Sequence, residues 1–334
     1  MTTLSAIGEF GLIRRFSPPF LKKLPKDLMG IGDDCAVLPW KGRMRLLVTT
    51  DMLVEDVHFL RAKIPARDLG YKSLSVSLSD IAAMGGRPES AFLSLALPAE
   101  IRVEWLDAFF RGLKDLAAAE RVRLLGGDTT KSPDLIIINI AVIGRADRER
   151  IKFRSGAKPG DLICVTGELG DSGGGLRLLL KDGPVDKDER YLVRKHNRPR
   201  PHLEEGAWLA GQDGITAMMD VSDGIDSDLR RIMERSRCGV VVDLERLPVS
   251  APLRRTAEKR GWNVHEAAAA GGEDYCLLAA VRAERIKKIE TGFRKRFCRS
   301  LAVIGRVTER TTGLRYFAGR LPIKLGRRGF DHFG

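Results

Sequence analysis

Aspartates next to glycine, serine or threonine recur along this sequence: Gly32-Asp33-Asp34, Thr49-Thr50-Asp51, Ser79-Asp80, Gly127-Asp128-Thr129-Thr130 and Asp220-Val221-Ser222-Asp223-Gly224. Each has an ordinary explanation as a turn or a helix cap, with Ser222 or Asp223 capping a helix that starts near Gly224. Their repetition after apolar segments has another explanation, because strand ends in α/β sheets are where loops converge on ligands. Carboxylates gathered in one pocket cannot all stay ionised unaided, since like charges repel or force protonation. A hard divalent cation removes that conflict, and magnesium typically bridges a few carboxylates to substrate phosphates. No histidine pair or cysteine set points to zinc or iron instead. The chemistry suggested is a magnesium–nucleotide site.

Elements must carry these residues. Residues 44–50 read as a buried strand ending at Asp51, and 68–84 as a helix stopped by Gly85-Gly86 with Pro88 beyond. Residues 91–97 form the next strand. The apolar set Val103, Leu106, Phe110, Leu113 and Ala117 marks one face of a helix over 101–121. A strand over 135–143 is followed by a polar link, 145–152, where a domain boundary is expected. Beyond it come a loop into a strand from Arg154, a helix from about Ser172, a charged segment over 182–200 and a helix from about Pro201. Strands over 215–219, 239–244 and 275–281 follow, with helices between them. Alternation of this kind predicts an α/β protein of two domains, 1–147 and 148–334, with mixed sheets and helices packed outside.

Length and composition agree. The 334 residues exceed what one core usually supports, and 43% hydrophobic with 30% charged residues is a globular balance. No apolar run approaches the ~18 residues that span a bilayer, so no membrane is expected. The opening MTTLSAIGEFGLIRRF lacks the pattern of a secretory signal. Five cysteines without CxxC pairing suit reduced thiols in a cytoplasm. The net charge of +13 favours anionic ligands, but much of it is local to 282–299, which reads as a solvated helix face. No nucleic-acid-binding signature accompanies it, so no nucleic-acid partner is expected.

The common nucleotide formulae are missing: there is no GxxxxGK[ST] loop and no kinase HRD or DFG element. Gly170-Asp171-Ser172-Gly173-Gly174-Gly175 opens a helix and reads either as a flexible helix entry or as a cradle for a phosphate. Cys35 has acidic neighbours, which raise a thiol's pKa, so it reads as a small buried residue. His58 alone is a packed or capping residue as readily as a ligand contact. Glu273-Asp274 after Gly271-Gly272 is equally a turn into the next strand.

GIGDDCAVL (30–38), TTDMLVEDVHF (49–59), KSLSVSLSDIAAMGGRP (72–88), LLGGDTT (124–130), RSGAKPGD (154–161), MDVSDGIDSDL (219–229), GGEDYCL (271–277) and GFDHF (329–333) together resemble the thiamine-monophosphate kinase family. The resemblance runs from about residue 8 to the end. Its Gly-Asp-Asp and Asp-Ser-Asp patterns are shared more loosely with the wider group of aminoimidazole ribonucleotide synthetase, selenophosphate synthetase and a hydrogenase maturation factor.

The resemblance implies ATP-dependent phosphorylation of thiamine monophosphate to thiamine diphosphate, the last step in making that cofactor. It implies an amino-terminal domain that pairs with its twin in a homodimer and a carboxy-terminal α/β domain that completes the cleft. Carried over, Asp34, Thr50, Asp51, Asp80, Asp128 and Asp220 would ligate several magnesium ions, with Thr49 a weaker candidate and Asp223 holding a further ion. Gly127, Asp128, Arg154 and Ser222 would contact ATP, Asp128 and Arg154 carrying the catalytic burden. His58, Glu273 and Phe330 would contact thiamine monophosphate. The other readings are a different ATP-dependent member of the wider group and a catalytically silent nucleotide-binding regulator.

Overall fold

The computed structural model describes residues 4–181, 183 and 185–326; Phe330 lies outside them. Two kinked or short helices, α1 (Leu4–Phe16) and α2 (Pro18–Leu21), lead into β1 (Ala36–Pro39) and β2 (Met44–Val54). Next come α3 (Ala66–Ala83), β3 (Arg87–Leu97), α4 (Val103–Ala119), β4 (Arg123–Lys131) and β5 (Ile137–Asp147). These strands form a sheet in the order β1-β2-β5-β3-β4, antiparallel except for the parallel β3–β4 pair.

The second half runs β6 (Leu162–Val165), α5 (Asp171–Leu179), α6 (Lys187–Asn197), α7 (Leu203–Ala210), β7 (Ile215–Asp220) and α8 (Ile225–Ser236). It continues with β8 (Gly239–Asp243), α9 (Ala251–Arg260), α10 (Val264–Ala270), β9 (Leu277–Val281), α11 (Ile286–Phe297), β10 (Ala302–Thr308), β11 (Leu314–Ala318) and β12 (Leu321–Ile323). Its sheet is ordered β12-β11-β8-β10-β6-β9-β7, with only β8–β11 parallel. Two mixed sheets are the architecture expected from the alternation of elements, but α3 departs from the expected outside packing of helices.

Several boundaries differ, for identifiable reasons. Strand β2 continues past Asp51 to Val54 because β5 pairs with it along its whole length, from Met44↔Asp147 to Val54↔Ile137. The same pairing makes part of the polar stretch 145–152 into strand. Strand β3 begins at Arg87, directly after the Gly85-Gly86 turn, so Pro88 lies within it. LLGGDTT, which carries no strand-like alternation, is the edge strand β4, exposed throughout. Helix α6 occupies most of the charged segment, started by a capping box between Asp186 and Glu189. Basic α11 buries Ile289 and Phe293, with Trp208 packed edge-on to Phe293 and Phe297, and turns its cations outward.

Helix α3 lies between the two sheets and is buried on nearly every side, which explains its serine content. A buried hydroxyl needs a partner, and each serine finds one. Ser73 Oγ donates to its own helix at Leu69, Ser75 Oγ to the Pro199 carbonyl (2.7 Å), Ser77 Oγ to the Ile140 carbonyl (3.1 Å) and Ser79 Oγ to Asp220 (2.6 Å). Glycines let α4 approach closely: a Cβ at Gly70 would sit 1.9 Å from the Phe109 carbonyl oxygen, and one at Gly112 1.7 Å from that of Arg67. The main hydrophobic core runs from the first sheet through α3 to α7 and the near face of the second sheet, including Leu78, Ile81, Ile140, Leu209, Met218 and Leu277. No helix among the described residues is long and apolar enough to cross a membrane.

Candidate active site

Four aspartates reach one place from four elements. Asp34 sits in the bend before β1, Asp51 in β2, Asp80 near the end of α3 and Asp220 at the end of β7. A carboxylate oxygen from each of Asp34, Asp80 and Asp220 lies within 4.8 Å of the others. Strand alternation aims Thr49 and Asp51 toward α3: Thr49 Oγ1 donates to Asp80 Oδ2, and Ser77 hydrogen-bonds Asp51.

The electrostatics are those of crowded acids. Burial, then the charges of Asp51, Asp220 and Asp34, pushes the Asp80 carboxyl well above its usual range. Burial, then Asp34, lifts Asp220 to about 7 against the Ser79 hydrogen bond. Asp51 rises for the same first reason. Asp34 Oδ2 and Asp51 Oδ2 are buried and meet no hydrogen-bond donor among the described residues. An anionic oxygen left in this state is costly, and a hard oxygen-seeking cation is the partner that suits it. The donor set therefore fits magnesium.

Arg154 closes one side. Its guanidinium donates to Asp34 Oδ1 (2.6 Å), while its backbone N–H donates to Asp33 Oδ1 (2.6 Å). Burial works against the Arg154 cation, but the Asp34 charge and hydrogen bond outweigh it and keep it protonated. Cys35 beside these acids is buried, and burial followed by the charges of Asp80, Asp34, Asp51 and Asp220 holds its thiol protonated. It is packing, not a nucleophile.

Glu273 occupies a second locus, on a residue in the left-handed region (φ 61°) whose N–H donates to the Ser222 carbonyl (2.7 Å). Its carboxylate receives the fully buried Lys72 ammonium at 2.9 Å on Oε1 and 3.0 Å on Oε2. Burial pushes Glu273 up, yet the charge and hydrogen bond of Lys72 bring its carboxyl below the usual value. His58 Nδ1 accepts from the Val54 N–H (3.0 Å), so its ring is fixed to the end of β2. Glu273 thus joins the loop carrying Ser222 and Asp223 to α3 through Lys72.

Thr50 and Asp128 lie on the other face of the first sheet. Cross-strand partners share a face, and the row Met52, Asn139, Ser94 and Asp128 runs across the sheet opposite the buried Leu93, Ile138 and Ile140. Thr50 belongs to that open face too, where it accepts from Asn139 Nδ2 (2.9 Å). Asp128 is three strand spacings, about 14 Å, from β2. Gly127 beside it has φ 153°, and a Cβ there would sit 1.7 Å from the Leu93 carbonyl oxygen. Asp223 and Ser222 sit in the turn after β7, where Asp228 Oδ1 accepts from the Asp223 N–H (3.4 Å).

The glycine-rich helix entry has an answer of its own. Asp274 accepts from the Gly170 N–H (2.6 Å) and the Ser172 N–H (3.1 Å), so a carboxylate of the chain already occupies the anion-binding end of α5. Sequence reasoning missed Lys72 and His196, and it named Ser79 and Asp33 within the motifs without giving them a role. A lysine within the apolar and hydroxylated run 72–83 was the available signal, since a buried lysine requires an acidic partner.

Both halves carry the signature of one class. Residues 32–146 match the family described as AIR synthase related protein, N-terminal domain, and 158–316 its C-terminal domain. The chain is 39% identical to the thiamine-monophosphate kinase of Escherichia coli K12, covering 98% of this chain and 99% of that one. It is 34% identical to the enzyme of the same name from Bacillus subtilis, over 98% and 100% of the two chains. The solved structure of AaThiL complexed with AMPPCP and TMP superposes with a TM-score of 0.86 at 34% identity, covering 99% of each chain. Escherichia coli HypE, a hydrogenase maturation protein, shares the fold at 22% identity and a TM-score of 0.69, over 85% of this chain and 86% of that one. The chain belongs to the thiamine-monophosphate kinase family.

Proposed function

We propose that this chain transfers the terminal phosphoryl group of ATP to thiamine monophosphate, forming thiamine diphosphate and ADP. The observation that carries this reading is the cluster of buried Asp34 and Asp220 with half-buried Asp80, Arg154 at its side, in a chain that resembles thiamine-monophosphate kinases end to end. Asp34, Asp51, Asp80 and Asp220, with Thr49, would hold magnesium ions, and Asp223 a further one. Bound there, magnesium neutralises phosphate charge.

The acceptor is itself a phosphate with a second pKa near 6, so it is already a nucleophile at neutral pH and needs no general base. The obstacle is anion meeting anion. An acceptor oxygen attacks the γ-phosphorus in line, the bond from that phosphorus to the β,γ-bridging oxygen breaks, and ADP departs with its electrons. Arg154 offsets charge during transfer, Gly127 and Ser222 contact the nucleotide through backbone close to its phosphates, and the chain's work is positioning. His58, Glu273 and Phe330 contact the thiamine end of the acceptor.

In this reading 1–147 form the nucleotide-binding and dimerisation domain, and 148–334 complete the cleft. The open face of the first sheet supports a homodimer. Met52 and Phe92 lie exposed on it (55% and 37%), beside Leu124 and Leu125 of the edge strand (41% and 62%). A second copy covering that face would also enclose Thr50 and Asp128. Four of five cysteines are buried and unpaired, which suits a cytoplasmic enzyme.

The test is incubation with ATP, thiamine monophosphate and magnesium, with separation of products by chromatography. Thiamine diphosphate and ADP in equal amounts are expected. Absence of thiamine diphosphate with every divalent ion tried overturns the proposal.

A further inference from the structure

Lys72 and Ser79 stand seven residues apart on α3, about two turns, and so share a face about 10.5 Å apart along the axis. Each grips an acid at the edge of the second sheet: Ser79 holds Asp220 at the end of β7, and Lys72 holds Glu273 in the loop before β9. The segments after β7 and before β9 are tied to each other as well, through Glu273 N–H to the Ser222 carbonyl (2.7 Å) and Tyr275 N–H to the Val221 carbonyl (2.9 Å). A single rigid helix thereby sets the distance between the metal-binding carboxylates and Glu273.

His196 completes the grip. A lysine ammonium only donates, so the contact of Lys72 Nζ with His196 Nε2 (3.4 Å) makes that nitrogen the acceptor. The ring proton then lies on Nδ1, which faces Glu273 Oε2 (3.3 Å) and Ser172 Oγ (3.0 Å). Burial followed by the Lys72 charge keeps the ring neutral, lowering its pKa to about 4. His196 on α6 therefore orients Lys72 as it holds Glu273, whose side chain remains 24% exposed and can still meet a ligand.

We propose that Lys72, assisted by His196, is a positioning residue that fixes Glu273 at a set distance from the phosphoryl-transfer centre, and so selects acceptors with a cationic or donor-rich group at that distance from their phosphate. This rests on the thiamine-monophosphate reading, whose thiazolium and aminopyrimidine supply such a group. Its action is on acceptor recognition, through Glu273, and not on nucleotide binding or transfer itself.

The experiment compares wild type, Lys72→Met, Glu273→Gln, His196→Gln and the Lys72→Met/Glu273→Gln double variant by steady-state kinetics, thermal melting and calorimetric titration of thiamine monophosphate. Lys72→Met should raise KM for thiamine monophosphate about tenfold or more, leaving KM for ATP and kcat within about threefold. In the Glu273→Gln background the same change should alter KM by less than about threefold, since the effect passes through Glu273. His196→Gln should shift KM in the same direction by less. A folded Lys72→Met enzyme with unchanged acceptor KM, or with kcat and both KM values degraded together, overturns the proposal. If Lys72→Met does not fold, an unchanged acceptor KM in His196→Gln overturns it. Wild type that neither phosphorylates nor binds thiamine monophosphate overturns this proposal and the assigned function together; active wild type with unaffected variants overturns this one alone.

Discussion

Ser79 and Asp220, 141 positions apart in the chain, meet through a 2.6 Å hydrogen bond from a fully buried hydroxyl to a carboxylate of the candidate metal cluster. The bond stabilises the ionised form of Asp220 and so opposes the burial that raises its pKa. Ser79→Ala should push Asp220 above its present value of about 7. At pH 7 the variant should then require several-fold more magnesium for half-maximal rate, and the deficit should shrink at about pH 8.5, where Asp220 loses its proton anyway. Magnesium titrations of activity at both pH values check this.

Removing a cluster acid tests its role directly. Asp34→Asn keeps the shape but removes charge from the proposed cation site. It should lower kcat on the order of a hundredfold or more, the scale of several kcal/mol that a misplaced metal costs. Near-ultraviolet circular dichroism should stay native. Retained activity would show that Asp34 holds no essential ion.

Stability should depend on pH with a definite sign. Asp220 binds its proton more tightly folded (about 7) than unfolded (3.8), and Asp80 and Asp51 shift in the same direction. Stability from such groups is complete below the unfolded value and lost as pH rises through the folded one. In chelator, the melting temperature should fall between about pH 5 and 8. The increase produced by magnesium should grow over the same interval. A magnesium effect independent of pH would separate these acids from metal binding.

Gly127→Ala tests the edge strand. The new Cβ meets the Leu93 carbonyl oxygen at a backbone angle that only glycine adopts readily. A loss of ~2 kcal/mol or more is expected in denaturant unfolding, together with loss of activity as Asp128 shifts.

Phe92→Glu tests the open sheet face. A carboxylate on a covered apolar face costs several kcal/mol, so the variant should sediment as a monomer and lose turnover, because Thr50 and Asp128 share that face. A fully active monomer would show that no second copy is needed.

Much of this was legible in residues alone. The motifs around Asp34, Asp80 and Asp220 stood out by their repetition, and the family resemblance singled these acids out as candidate ligands. Other readings were beyond the sequence. LLGGDTT shows no strand alternation, yet forms β4, because β3 supplies a parallel partner that local propensity cannot reveal. The helix entry at Gly170 kept two readings until Asp274, more than a hundred residues away, was seen to fill it.

Residue types and order were enough to identify the family and the alternating elements and to suggest an oxygen-ligand site, since these depend on local pattern and on what each side chain can bind. Only the tertiary structure decided that Lys72 and Ser79, two turns apart on one buried helix, would clasp Glu273 and Asp220 from the other sheet, and that Thr50 would face away from Thr49 and Asp51. The reason is physical: strand alternation, helix pitch and long-range pairing assign each side chain its direction, and direction is a property of the packed chain, not of the residue.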